Sequence, residues 1–146
     1  MIQHQINITI QRPVAEVFAF LTDSSNHPKW DSTSVAMEQL DPGPWQTGTR
    51  FREVRNLGGR PTEVASQVAY LDPNRRFNIA SLNGPEWRGQ WDFTPLGDAT
   101  RLQFEGRLSF MGITRIFEPL IARGFKRQLN ANFARLKRVL EGEEAR

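Results

Sequence analysis

Residues 113–141, ITRIFEPLIARGFKRQLNANFARLKRVLE, decide the fold, because they form the longest stretch without a cluster of turn-forming residues. The apolar residues recur at steps of three and four over about eight turns, which predicts one long amphipathic helix. Basic residues fall on the opposite face. The predicted apolar face consists of Ile113, Ile116, Phe117, Leu120, Ile121, Phe125, Leu129, Phe133, Leu136 and Leu140.

Three residues modify this helical pattern. Pro119 has no N–H to donate and clashes with the preceding turn, so the sequence predicts a kink or a late start there. Gly142 predicts the end of the helix. Asn132 interrupts the apolar face and is interpreted either as a hydrogen-bonded core amide or as a polar group that faces a ligand cavity.

The residues before this helix follow a strand pattern with one helical interruption. Alternating isoleucines predict a half-buried strand over 5–11, and Pro13 suits the first turn of a helix that follows up to residue 23. A second short helix is predicted at 28–30. Further runs separated by turn clusters predict strands over 35–40, 49–55, 62–71, 76–82, 86–94 and 100–110.

These elements predict an α+β fold in a single domain over residues 1–146. Consecutive strands joined by short loops pair antiparallel, and a sheet with one apolar face needs a cover. Only the C-terminal helix is long enough to supply that cover. The expected structure is a curved seven-stranded antiparallel sheet wrapped around a long C-terminal helix, with two short helices after the first strand.

Composition limits the classes of function. The 146 residues include no cysteine and only two histidines, which are not spaced as metal ligands, so no metal site and no cofactor are expected. No run resembles a signal peptide or is long enough to span a membrane, so a cytoplasmic protein without stable membrane insertion is expected. The net charge is +3, and the basic helix face is interpreted as a solvated surface. Nucleic acid is not expected as a partner, and anionic lipid remains the alternative.

Local motifs spread over nearly the whole chain resemble one protein family. They lie at 12–18 (RPVAEVF), at Asp23 with 26–30 (NHPKW), and at 48–51 (GTRF), 71–77 (LDPNRRF), 100–102 (TRL), 116–120 (IFEPL), 136–137 (LK) and 140–142 (LEG). On these motifs the chain resembles the START-like superfamily with the helix-grip fold. Within it, the sequence is most similar to the polyketide cyclase/dehydrase-like branch of SRPBCC proteins.

The resemblance implies a cavity or tunnel that the helix leaves open against the sheet. Its mouth is expected between the link 31–33, the hairpin 57–61, the loop 83–85 and the start of the last helix. The family motif implies no universal catalytic residue, so candidates for catalysis must come from this chain itself.

Aromatic residues on nearly every element favour a pocket for a hydrophobic or amphipathic small molecule. Some of these rings could instead simply fill the core. The predicted ligand-binding residues are Trp87, Trp91, Phe117, Phe125, Leu129, Asn132 and Phe51.

Glu53 and Tyr70 are the candidate catalytic residues. Glu53 shares a strand face with Phe51, so the carboxylate points inward if that ring does. In an apolar cavity its pKa would be raised and it could act as an acid or base, whereas a carboxylate paired with an arginine would be structural. A hairpin symmetric about the two glycines at 58–59 is expected to bring Glu53 close to Glu63.

Three classes of function follow from these features. The first is binding of a hydrophobic or amphipathic small molecule, such as a lipid or a polyketide-like compound, which requires only the cavity. The second is a cyclase or dehydratase that also uses inward polar residues. The third is a module that contacts a protein or a membrane. The pattern favours binding, because no acid–base constellation is assured by the sequence.

Overall fold

The chain folds in the order that the sequence pattern predicts. The computed structural model describes residues 1–57 and 59–142. The elements are β1 (Ile2–Ile10), α1 (Val14–Leu21), a 3-10 turn (Ser24–Asn26), α2 (His27–Trp30), β2 (Ser34–Gln39), β3 (Arg50–Leu57), β4 (Arg60–Asp72), β5 (Arg76–Ser81), β6 (Glu86–Leu96), β7 (Ala99–Ser109), a 3-10 segment (Gly112–Phe117) and α3 (Glu118–Leu140).

The strands form one antiparallel sheet in the order β1-β7-β6-β5-β4-β3-β2. Alternation along each strand gives the sheet an apolar inner face. In β6, for example, Trp91 and Phe93 are buried while Arg88 and Thr94 are exposed. The predicted fold, a curved seven-stranded antiparallel sheet with a long C-terminal helix and short helices after the first strand, is confirmed.

α3 begins late, as Pro119 predicts. Residues before it form the 3-10 segment, and the α-helix starts at Glu118 with Pro119 in its first turn, where a missing N–H is harmless. The helix ends at Leu140, and Gly142 follows with a φ of 82°, a conformation that glycine adopts without strain. No helix in the described residues is long and apolar enough to cross a membrane.

α3 buries only the second half of its apolar face. Phe133 and Leu136 are almost completely buried, whereas Leu120 is 79% exposed and Ile113 and Ile116 are similarly exposed. The helix packs chiefly on β1 and α2, and Leu120 and Ile121 in its first turns remain exposed. The amphipathic pattern therefore continues beyond the part of the helix that has a packing partner.

The hairpin between β3 and β4 pairs Leu57 with Arg60, which is the register of a turn symmetric about residues 58–59, and this register does not place Glu53 opposite Glu63. Glu53 pairs with Val64, and Glu63 pairs with Val54, so the two glutamates lie on opposite faces. Glu63 is exposed, and its carboxylate lies 3.6 Å from Arg52. The expectation that Glu53 and Glu63 lie close together is wrong. Gly58, which the sequence analysis assigned to this turn, lies outside the described residues.

The core is continuous between the inner sheet face, α1 and the second half of α3. Trp30 lies at its centre with 5% of its surface exposed. The Trp30 ring makes edge contacts with Phe133 and His27 at centroid distances of 5.5 Å and 5.1 Å. It therefore joins α2 to α3, and such aromatic pairs contribute beyond their buried area.

Trp30→Ala is expected to lower the free energy of unfolding by about 3 kcal/mol or more, because it removes a large buried ring from between α2 and α3. Urea unfolding followed by circular dichroism measures this change. Tyr70→Ala is a suitable control, since Tyr70 is 46% exposed and should change stability little. A loss below about 1 kcal/mol for Trp30→Ala would contradict this account of the core.

Candidate functional site

Four charged side chains meet where α2, β2 and β3 come together, and we call His27, Asp31, Glu53 and Arg55 the charged cluster. His27 begins α2 and Asp31 lies four residues later, so the two share one side of that turn. Glu53 and Arg55 are two residues apart on β3 and therefore share its inner face. The side chains are between 8% and 24% exposed, Asp31 least and Arg55 most.

Two carboxylates and two cations alternate in this cluster. His27 Nε2 lies 3.2 Å from an oxygen of Asp31 and 3.1 Å from an oxygen of Glu53. The Arg55 guanidinium lies 3.0 Å from Asp31 and 3.1 Å from Glu53. With a protonated imidazole the charges balance, which is the condition under which buried charges are tolerated.

Neutral donors satisfy the remaining carboxylate positions. The Ser34 hydroxyl donates to Glu53 at 2.7 Å. The backbone N–H and the hydroxyl of Thr33 donate to Asp31 at 3.1 Å and 2.8 Å. Arg55 also donates to the Thr33 hydroxyl. The cluster therefore includes the link between α2 and β2.

Asn132 connects α3 to the charged cluster. Its side-chain nitrogen donates to Asp31 at 3.0 Å, and its oxygen accepts from the hydroxyl of Ser32 at 3.2 Å and from Gln128 at 2.9 Å. Asn132 is 3% exposed. Of the two interpretations that the sequence allowed, the structure therefore supports the hydrogen-bonded core amide.

The charges of the cluster shift its pKa values in opposite directions. Burial alone would lower the pKa of His27, but hydrogen bonds to Asp31 and Glu53 outweigh it and raise that pKa to about 9. Burial alone would raise the pKa values of Asp31 and Glu53, but hydrogen bonds to His27 and the charges of His27 and Arg55 lower both. Of the two interpretations of Glu53 that the sequence allowed, the structure supports the carboxylate paired with an arginine, because its surroundings are charged rather than apolar.

Inward-facing side chains between the inner face of the sheet and the first half of α3 are half-buried rather than buried. We call this region the groove. The rings of Trp87 and Phe125 approach to a centroid distance of 5.8 Å across it. The groove residues are Val64, Ser66, Ile79 and Trp87 on the sheet and Phe125, Gln128 and Leu129 on the helix.

Two paired glycines shape the sheet side of this groove. Gly89 and Gly106 lie opposite each other in β6 and β7. A Cβ at Gly89 would come within 2.7 Å of the Trp91 ring, and one at Gly106 would come within 3.0 Å of Trp87 and 2.9 Å of Phe104. The absence of side chains at these positions lets the two indoles lie close to the sheet.

Trp91 carries a buried donor without a protein partner. Its ring is 6% exposed and stacks on Phe77 at a centroid distance of 4.7 Å. The indole Nε1 is buried and has no hydrogen-bond acceptor among the described residues. A buried indole N–H is ordinarily paired, so this donor is an exception among the buried polar groups of the described residues.

The remaining predicted site residues lie in different environments. Phe51 is fully buried and packs against Trp45 at 4.8 Å, so it belongs to the core beneath the groove. Phe117 is 49% exposed at the end of the 3-10 segment. Tyr70 pairs with Asn78 on the outer face of the sheet and is not part of the groove.

Two shallow depressions occur on the outer side of α3 rather than beneath it. One has a volume of about 560 Å³ and is lined by Pro119, Ala122, Arg123, Lys126, Arg127 and Asn130. The other has a volume of about 470 Å³ and adjoins the start of β1. Neither corresponds to the cavity expected between sheet and helix. In the described residues, no group of His, Cys, Asp and Glu is arranged to hold a metal ion.

His27, Asp31 and Arg55 are cluster members that the sequence analysis did not assign to a site. Two patterns could have indicated them. His27 and Asp31 are four residues apart, the spacing of neighbours on a helix. Arg55 follows Glu53 by two residues, so an inward Glu53 implies an inward Arg55. Neither pattern indicates that the pair His27 and Asp31 lies next to the pair Glu53 and Arg55 in the folded chain.

The family model described as "Polyketide cyclase / dehydrase and lipid transport" matches residues 1–141. Two uncharacterized proteins of Mycobacterium tuberculosis, from strains CDC 1551 / Oshkosh and ATCC 25618 / H37Rv, are each 28% identical to the chain over 91 residues. The match covers 62% of this chain and 40% of each relative, so the chain spans less than half the length of these relatives.

Solved structures share the fold at low sequence identity. A Thermus thermophilus protein has a TM-score of 0.81 at 15% identity, covering 97% of this chain and 99% of the other. A START superfamily protein from Mycobacterium smegmatis has a TM-score of 0.74 at 15% identity, with coverages of 98% and 97%. The Zhui aromatase/cyclase from Streptomyces sp. R1128 has a TM-score of 0.75 at 18% identity, with coverages of 97% and 92%.

The charged cluster predicts a loss of stability at alkaline pH. Because folding raises the pKa of His27 from about 6.5 to about 9, its contribution is fully present below pH 6.5 and is lost as pH rises through 9. The free energy of unfolding is expected to fall by up to about 3 kcal/mol over this range. Urea unfolding at a series of pH values from 6 to 10 measures it.

His27→Gln should remove most of this pH dependence, because glutamine does not titrate. His4→Gln is the matched control and should keep it, since His4 lies outside the cluster and its ring bonds Asn130 on α3. An equal pH dependence in the wild type and in His27→Gln would show that the imidazolium does not stabilise the fold.

Proposed function

The chain belongs to the polyketide cyclase / dehydrase and lipid transport family, and on this premise we propose that it binds a hydrophobic or amphipathic small molecule in the groove between sheet and α3. The ligand is a lipid or a polyketide-like compound that carries at least one oxygen. In this proposal Trp87, Phe125 and Leu129 contact its apolar part, and the Trp91 indole N–H donates to its oxygen.

The unpaired indole N–H of Trp91 is the observation that carries this proposal. A buried donor without an acceptor costs about 1–3 kcal/mol, so a site that keeps one is suited to a ligand that supplies the acceptor. The half-buried rings of Trp87 and Phe125 add apolar surface beside it. Aromatic walls with few polar groups are typical of small-molecule sites.

The groove also changes character along its length, which supports an amphipathic ligand. Trp87 and Phe125 form an aromatic part, whereas Gln128 bonds Ser32 and Asn132 beside the charged cluster. We propose that the polar end of the ligand lies toward this cluster. Phe51 would support the groove from the core, Phe117 would lie at its mouth, and Asn132 would hold the helix in place.

Pyrene and 1-hydroxypyrene test the proposal, because they match in shape and differ by one hydroxyl. Both are expected to bind, and the fluorescence of the probe measures affinity without using protein tryptophan. Trp91→Phe should weaken 1-hydroxypyrene binding by about fivefold to tenfold, the effect of one hydrogen bond, and leave pyrene binding nearly unchanged. Phe125→Ala should weaken both probes, because it removes apolar contact area from the groove.

Tyr70→Ala is the matched aromatic control and should change neither affinity, since its ring lies on the outer face. Native mass spectrometry of freshly purified protein provides a second test through a co-purified compound. Wild-type protein that binds neither probe and carries no compound would overturn the binding proposal. If Trp91→Phe weakened the binding of pyrene and 1-hydroxypyrene equally, the proposed hydrogen bond from Trp91 to the ligand would be wrong.

A second candidate function is a cyclase or dehydratase that acts on a poly-β-ketone. It is favoured by the partly exposed cations of the cluster, since Arg55 is 24% and His27 18% exposed beside the groove. Such cations could stabilise an enolate oxygen, and Glu53 could exchange a proton. The family description includes cyclases, and one structural neighbour is an aromatase/cyclase.

This second candidate predicts that the wild type converts a poly-β-keto thioester to a cyclised product detectable by mass spectrometry. Glu53→Gln should then lower turnover by about a hundredfold or more while binding of 1-hydroxypyrene persists. Circular dichroism must show that this variant is folded, because removing one partner of a buried ion pair costs about 3–5 kcal/mol. Glu63→Gln, on the outer face, is the control. Unchanged turnover in Glu53→Gln would remove Glu53 as a catalyst.

A further inference from the structure

The segment that leads into α3 leaves a run of large apolar side chains in solvent. Met111 and Ile113 are 77% and 79% exposed, Ile116 is 67% exposed and Leu120 is 79% exposed. With Phe117, we call these residues the apolar edge. Proteins rarely leave such side chains together on the surface unless the surface contacts a partner or a membrane.

A basic surface adjoins the apolar edge. Arg123, Lys126 and Arg127 line the larger depression on the outer side of α3, and Arg115 and Lys126 line the smaller one. We call these four residues the basic flank. In the part of the chain that the structure describes, Arg123, Lys126 and Arg127 make no ion pair with a carboxylate. Their charges are therefore available to an external anion.

The acidic side chain of this segment is neutralised internally. Glu118 is 8% exposed, and its carboxylate accepts from the Met1 ammonium at 2.5 Å and from the backbone N–H of Phe110 at 3.0 Å. The sequence from 111 to 130 contains no other acidic residue. The apolar edge and the basic flank together thus present apolar surface and positive charge without an exposed carboxylate of their own.

These features distinguish between possible partners. Nucleic acid would use the basic flank but leave the aliphatic side chains of the apolar edge in water. A two-fold contact with a second copy would cover the apolar edge but bring one basic flank toward the other, and like charges oppose such an interface. A membrane surface with anionic headgroups offers acyl chains to the apolar edge and phosphates to the basic flank.

We propose that the apolar edge and the basic flank dock peripherally on membranes that contain anionic lipids. The aliphatic side chains enter the headgroup–acyl boundary, and the basic side chains contact headgroup phosphates. No segment inserts across the bilayer. This docking site goes beyond the binding of a small molecule in the groove, because it uses the outer side of α3 and the residues before it and shares only Phe117 with the proposed mouth of the groove.

Vesicle co-sedimentation of the full chain tests the proposal. Phosphatidylcholine vesicles are compared with vesicles that contain about 30% phosphatidylserine, at about 0.1 M and about 0.5 M NaCl. Binding is expected to the anionic vesicles at low salt, to be at least tenfold weaker on phosphatidylcholine alone, and to weaken at high salt. No binding to the anionic vesicles, or equal binding to both kinds, would overturn the proposal.

Two sets of variants examine the two parts of the surface. Ile113→Ser with Leu120→Ser, and Arg123→Gln with Lys126→Gln and Arg127→Gln, are each expected to weaken binding at least tenfold. Their matched controls change exposed residues elsewhere and should remain within twofold of the wild type. These controls are Val35→Ser with Leu96→Ser, and Arg60→Gln with Arg75→Gln and Arg101→Gln.

Circular dichroism melts of every variant show whether a loss of binding reflects unfolding, which exposed substitutions should not cause. Equal losses in the controls would overturn the proposal, because the effect would then be one of general charge or hydrophobicity. Light scattering after gel filtration identifies the competing occupant. A wild-type dimer that Ile113→Ser with Leu120→Ser dissociates, without vesicle binding, would assign the apolar edge to a second copy.

Discussion

The structure depends on the balance of buried charge among His27, Asp31, Glu53 and Arg55. The ion contacts of 3.0–3.2 Å join α2 to β3, and neutral donors bring in the start of β2. Buried ion pairs contribute little net stability compared with apolar residues of the same volume, but a lone buried charge is costly. We therefore interpret the cluster as a device that permits one arrangement of these elements, since any other would leave a charge unpaired.

The same cluster contacts α3, which is also bonded at its first turn. Asn132 bonds Asp31 at one point of the helix, and Glu118 bonds the N-terminal ammonium of Met1 at another. These two points are 14 residues apart, or about 21 Å along a helix. Between them Phe125 makes an edge contact with the ring of Trp87. The polar contacts of Glu118 and Asn132 therefore bracket the part of α3 whose sheet-facing side chains remain half-buried.

Local patterns in the sequence predict most of the fold and little of the site. The alternation along the strands and the position of Pro119 are local features of the sequence. The strands of the sheet and the late start of α3 could therefore be predicted from the sequence. A turn symmetric about residues 58–59 places Glu53 opposite Val64 and not Glu63, and a count that is wrong by one residue puts a side chain on the wrong face of the sheet. The meeting of His27 with Glu53 joins parts of the chain far apart in sequence, which no local pattern contains.

The pKa values of the cluster argue for binding over catalysis. A general acid or base works best when its pKa lies near the operating pH, so that it can both take up and release a proton. Here the pKa of His27 is raised to about 9 while those of Asp31 and Glu53 are lowered, so each group keeps one protonation state around pH 7. Such a cluster stabilises the arrangement of α2, β2 and β3. Its charges also give a ligand an electrostatic environment that does not change around pH 7. Catalysis in this groove would require the substrate to change those pKa values on binding, whereas recognition of an amphipathic ligand requires no change.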